Sequence, residues 1–196
     1  MSRTLTAADI LPLEAYVKVR LDKRKALVEL KKNRQIQVGP HVTVTFECWD
    51  TMWYQVQEML YIEKGGDAQL TDELAAYGPM VPNGRELVAT MMFEIEDAAR
   101  RARILATLGG VEDTVSLAFA GETVTARPEG DVARTDAEGK TSSVHFLHFP
   151  FTAGQIAKFK AAGSQVTFAI SHPNYHHLAV LPESVRTALA ADFDAA

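Results

Sequence analysis

Apolar and polar positions alternate most clearly in two stretches of the chain. In residues 42–48, Val42, Val44, Phe46 and Cys48 share one parity, while Thr43, Thr45 and Glu47, continued back to His41, share the other. In residues 86–95, Leu87, Ala89, Met91, Phe93 and Ile95 alternate with Glu86, Val88, Thr90, Met92 and Glu94. A period of two predicts strands with one buried face. Residues 35–38 precede the first stretch across Gly39-Pro40 and predict a hairpin or bent strand. Residues 114–120 and 122–127 flank Gly121 as a second hairpin, and 143–149 and 165–171 read as further strands.

Helical spacing fills the remainder. Residues 4–34 read as helical, with Thr6 and Asp9 resembling an N-terminal cap and Leu27 and Leu30 forming a modest apolar stripe. Asp50 reads as the cap of a helix over 51–64, with Trp49 and Tyr54 spaced for a hydrophobic staple and Gly65-Gly66 as its stop. Short helices follow at 71–77 and 97–108. Thr152 and Gln155 form a capping box for a helix ending at Gly163, and Pro182 opens a final helix with Val185 and Leu189 facing inward. The Pro/Gly-rich stretch 78–84 is a connection. Residues 128–141 are expected to be an exposed, mobile loop, and 172–177 an exposed histidine-rich turn.

Hairpins mixed with isolated strands, and no Gly-rich βα turn, predict an α+β fold. Its sheet is expected to be mainly antiparallel and open to barrel-like curling, with helices packed outside. The 196 residues suit one domain over 1–196: a basic helical segment at about 4–34 and an α+β core at about 35–196.

Charge adds one feature to this picture. The net charge of −5 argues against nucleic acid as a partner. Residues 18–34, however, hold eight basic residues against Asp22 and Glu29. That makes the segment +6 and leaves −11 for the rest of the chain. Such a run is either a solvated helix face or a docking surface for an acidic partner protein. No apolar run reaches the roughly 20 residues of a membrane span, and residues 1–9 lack a signal-peptide core. Cys48 is the single cysteine, so no internal disulfide forms. Its parity with Val42, Val44 and Phe46 predicts a buried, inert thiol, and a reducing cytoplasm is the expected compartment.

Candidate chemistry rests on carboxylates set inside apolar segments. Glu47, Glu58 and Glu94 each interrupt a stretch that otherwise reads as core. Ionised carboxylates are costly to bury unless paired, metal-bound or protonated. If the strands at 42–48 and 86–95 pair, their Thr and Glu residues line one semi-polar face. On the helix at 51–64, the side carrying Tyr54, Glu58 and Tyr61 is too aromatic for bare solvent and predicts a cover. Three readings stay open. Glu47, Glu58 and Glu94 could be acid/base catalytic residues. With His41 and His145 they could hold a hard or borderline metal such as Fe or Mn. Or they could simply form ion pairs with arginines. No nucleophile elbow, P-loop, cysteine cluster or helical E-x-x-H pattern is present.

Several blocks carry a family resemblance. Val38-Gly39-Pro40-His41, Phe46-Glu47, Gln55-Val56-Gln57-Glu58-Met59, Glu86-Leu87-Val88-Ala89-Thr90, and Ser142-Ser143-Val144 followed by Phe149-Pro150 occur in order between Leu5 and Leu189. In sequence and spacing they resemble the bacterial domain-of-unknown-function family 3501. The resemblance implies no established activity and no catalytic residues. It does imply the company of a rubrerythrin-like protein and an iron–sulfur oxidoreductase subunit, and hence an accessory role in peroxide (oxidative-stress) or iron-linked redox chemistry.

Overall fold

In a computed structural model, residues 3–130 and 133–194 are described. β1 (Gln35–Val38), β2 (Val42–Phe46), β3 (Glu86–Phe93), β6 (Arg127–Pro128) and β7 (Val144–Pro150) form one antiparallel sheet in the order β1-β2-β3-β7-β6. β4 (Val115–Phe119), β5 (Glu122–Thr125), β8 (Val166–His172) and β9 (Tyr175–Val180) form a second, in the order β5-β4-β8-β9. Every strand pair is antiparallel.

The expected parity holds. Val42, Val44, Phe46, Leu87, Ala89, Met91 and Phe93 join Val115, Leu117, Val166 and Phe168 in one core. The Phe168 ring meets Phe46 at 6.2 Å and Phe149 at 5.9 Å, so the sheets face each other across this layer. The strands thus pack as two facing sheets, and among the described residues they close no barrel.

Among the described residues there are six α-helices: α1 (Leu13–Lys31), α2 (Trp49–Glu63), α3 (Gly66–Tyr77), α4 (Ala98–Leu105), α5 (Ala153–Lys160) and α6 (Glu183–Ala190). The back of the first sheet carries Val88 and Phe146. These pack into a second, separate cluster with Met52, Trp53, Val56, Tyr77 and Met80 from the α2–α3 layer. Burial on this scale stabilises each such side chain by ~1.5–3 kcal/mol.

Several boundaries differ from expectation, each for a local reason. The N-terminal helix is shorter. Thr6 and Asp9 cap a single 3-10 turn, Ala7–Asp9, and α1 starts only after Pro12, which lacks a donor and presets the first turn. Cys48, not Asp50, precedes the first turn of α2. Trp49 therefore lies inside the helix and stacks on Trp53 at 6.1 Å, leaving no staple with Tyr54. α3 begins at Gly66, five residues early, directly after Lys64 turns left-handed at φ 58°.

The histidine-rich segment is a hairpin. Pro173-Asn174 is its two-residue turn, and Tyr175–Val180 is a strand whose Tyr175 is buried. His172 is buried as well, so the expected exposed turn holds only for Pro173-Asn174, with His176 also exposed, inside a paired hairpin. Within 128–141, Thr135 bridges to Thr141, and Thr141 is buried against the body, so that end of the loop is anchored rather than free.

Candidate docking interface

α1 covers the aromatic side of α2, as the sequence requires. Tyr16 is buried there, edge-on to Trp53, Tyr54 and Tyr61 at 6.0–6.5 Å. Its hydroxyl donates to Glu58 at 2.5 Å, and Arg20 clamps the same carboxylate through Nε and Nη2, both at 2.7 Å. The Arg20 guanidinium also lies 4.4 Å from the Tyr61 ring centre. Arg20 holds the Glu58 carboxyl below its usual range, and burial beside Glu58 pushes the Tyr16 phenol up. Glu58 is thus one half of an α1–α2 ion pair, with three donors on its two oxygens.

The basic run divides between structure and surface. Arg34 enters the core and Arg20 binds Glu58. Lys18, Lys23, Arg24, Lys25 and Lys32 remain exposed. Lys23 sits 5.0 Å from the Trp53 ring centre. Along one flank of α1, Leu13, Val17, Leu21 and Val28 form a stripe at i, i+4, i+8 and i+15, exposed between 45% and 66%. Arg24 continues this stripe between Leu21 and Val28. α1 is therefore apolar on two faces, only one of which is packed.

Three concavities border the helix. One of about 250 Å³ lies between α1 and α2, floored by Leu27, Leu30, Trp53 and Tyr54. A second, of about 440 Å³, lies at the Leu13 end beside Leu60 and Leu70. A third, of about 570 Å³, lies along Leu21, Arg24 and Val28.

The other sequence candidates do not assemble with Glu58. β2 and β3 pair, with Thr45 opposite Thr90 and Thr43 opposite Met92, so the shared Thr/Glu face exists. On it, Thr90 donates to buried Glu47 at 2.5 Å, and Thr43 donates to exposed Glu94. Burial raises the Glu47 carboxyl above its usual range, against the pull of the Thr51 and Thr90 hydroxyls. His41 stands 3.5 Å from Arg100 and accepts Glu94 N–H on its backbone carbonyl. His145 lies on the core side of β7, 3.6 Å from Glu112, a residue no sequence pattern marks. Among the described residues, no three His, Cys, Asp or Glu side chains are placed to hold a metal ion. The expected glutamate–histidine metal centre is therefore not assembled.

Two further ionisable groups lie outside these candidates. His148 is held between Glu129 at 2.7 Å and Glu86 at 3.2 Å, and these carboxylates, Glu86 foremost, raise its pKa. Asp192 takes Arg34 in a fully buried, two-bond pair. Cys48 is buried, as its parity requires, and burial raises its thiol. No described helix is long and apolar enough to cross a membrane.

The chain is similar to a crystal structure described as a novel protein of unknown function from Burkholderia pseudomallei K96243. Identity is 40% and the TM-score 0.90, over 97% of this chain and 100% of that one. No curated protein matches the chain. A family model described as protein of unknown function (DUF3501) matches residues 4–193. With nearly its whole length matched, the chain belongs to this family.

Proposed function

We propose that the protein is an accessory protein whose α1 face docks an acidic, amphipathic helix of a partner protein. The observation that carries this reading is the unpartnered stripe Leu13, Val17, Leu21 and Val28, edged by Lys18, Arg24 and Lys25. An apolar seam edged mostly by basic side chains, with Glu29 the acid at its Val28 end, fits the helix-in-groove mode, with carboxylates of the partner flanking its own apolar residues. Nineteen residues make α1 about 28 Å long. A helix face of that length and ~10 Å width offers roughly 300 Å², well under the ~800 Å² per partner of a stable complex. Contact extended into the flanking concavities still describes a transient complex, steered by charge and weakened by salt.

The family resemblance nominates a rubrerythrin-like protein and an iron–sulfur oxidoreductase subunit as first partners to assay. Each purified partner is titrated into the full chain, following fluorescence of Trp49 and Trp53 at the α1–α2 seam. The expected result is saturable binding to one of them, lost in Leu21→Glu/Val28→Glu and weakened as salt rises. Both substituted side chains are exposed, so folding is retained. Absence of binding to both partners overturns the proposal, as does binding indifferent to the double substitution. A concentration-dependent dimer abolished by the same changes overturns it too, by giving the face to a second copy of the chain.

A further inference from the structure

Outside the docking face, buried His145 has an unanswered hydrogen-bonding position. His145 is fully buried on the core side of β7, edge-on to Phe93. Its Nε2 lies 2.9 Å from the Ser142 carbonyl, which only accepts, so Nε2 carries the proton. That contact fixes the ring and leaves Nδ1 to point elsewhere. Nδ1 has no hydrogen-bond partner among the described residues. It faces Glu112 Oε2 at 3.6 Å. A lone pair thus confronts a carboxylate oxygen in the interior, and two acceptors repel unless a positive species lies between them.

We propose that His145 Nδ1 and Glu112 bind a small divalent cation of the zinc class. A histidine whose second nitrogen is tied to a backbone carbonyl is in the arrangement metal-ligating histidines adopt. The spacing fits as well: two bonds of ~2.1 Å, at angles from 90° to 120°, separate their donor atoms by roughly 3.0–3.6 Å. Thr135 Oγ1 and Thr141 Oγ1 each lie 3.5 Å from a Glu112 oxygen, and Thr141 Oγ1 also stands 3.3 Å from His145 Nε2. No third His, Cys, Asp or Glu among the described residues joins the pair. Hydroxyls and water complete the shell, which sets the affinity below that of a structural zinc site with four protein ligands.

The test uses the full, untagged chain stripped of metal. Zn²⁺ is added while the ¹⁵N resonances of the histidine rings are followed, and Co²⁺ is added while its visible absorption is read. The expected result is one equivalent bound, with the His145 Nδ1 resonance shifted. Affinity falls more than about 100-fold in Glu112→Gln, beyond the loss of an outer-shell partner. His176→Ala/His177→Ala, which removes two histidines of the β8–β9 hairpin, leaves binding intact. Two outcomes overturn the proposal without needing any variant to fold. In one, Nδ1 of the wild-type chain is protonated, making the pair an imidazolium–carboxylate contact. In the other, Zn²⁺ moves only the resonances of other histidines.

Discussion

Replacing Asp192 with alanine strands a charge inside the protein. Arg34 and Asp192 are each 2% exposed and meet through two bonds, Nη1 to Oδ2 at 2.9 Å and Nη2 to Oδ1 at 2.6 Å. The guanidinium has little else to hold it. Its other contact is Nη1 to the Glu47 carbonyl at 3.3 Å, and Nε has no hydrogen-bond partner among the described residues. Removing one member of such a pair costs ~3–5 kcal/mol, because the survivor stays buried and uncompensated. At about 2–4 °C per kcal/mol for a chain of this size, Tm falls by roughly 6–20 °C. Urea unfolding followed by tryptophan fluorescence measures the loss directly. Arg34→Met/Asp192→Leu removes both charges and is expected to recover most of it. A single substitution costing under ~1 kcal/mol, the scale of an exposed pair, refutes the reasoning. So does a double variant as unstable as the single one.

The two embedded glutamates should respond oppositely to amidation. Glu58 titrates below its usual range, so its stabilisation is present above the unfolded carboxyl value of ~4.3 and is lost as pH falls through the folded one. Glu58→Gln should therefore lower stability at pH 7, by ~1–3 kcal/mol for charge-assisted bonds lost. Glu47 titrates above its usual range, so its contribution is complete below ~4.3 and declines as pH rises through the folded value. Glu47→Gln should accordingly be neutral or stabilising at pH 8, and urea midpoints at pH 5 and 8 would expose a wrong sign for either. His148, raised by Glu86 and Glu129, stabilises fully below ~6.5 and loses that contribution as pH climbs through its folded value. His148→Gln should flatten the stability profile above pH 6.5; a wild-type profile already flat there contradicts the ion-pair clamp.

Strand parity made the sandwich core legible. Val42, Val44 and Phe46 on one side of β2, and Thr43 and Thr45 on the other, lie as period two requires. The demand that Tyr54, Glu58 and Tyr61 be covered was met by α1. Tertiary partners were less visible. Nothing local to Asp192 marks it as the counter-charge of a residue 158 positions away, and Glu112 sits in a short 3-10 turn without periodicity. β9 was missed because His, Asn and Pro dominate its start and mask the alternation of Tyr175, His177 and Ala179. The exposed stripe on α1 was legible in principle, since Leu13, Val17, Leu21 and Val28 have helical spacing. Leu27 and Leu30 supply a competing stripe on the packed face, and two stripes on one helix blur into weak amphipathicity.

The separation of the two apolar clusters bears on how the molecule opens. Among the described residues, Val88 and Phe146, on the back of the first sheet, belong to the cluster of the α1–α2–α3 layer and not to the sandwich core. Such modules behave as distinct cooperative units in native-state hydrogen exchange. Amides of α1, anchored by Tyr16 and one ion pair, should exchange through partial opening while those of β3, at the centre of its sheet, wait for global unfolding. A ligand seated on α1 would then slow exchange across the helical layer and leave β3 untouched, so the protein would register a visitor by stiffening one layer.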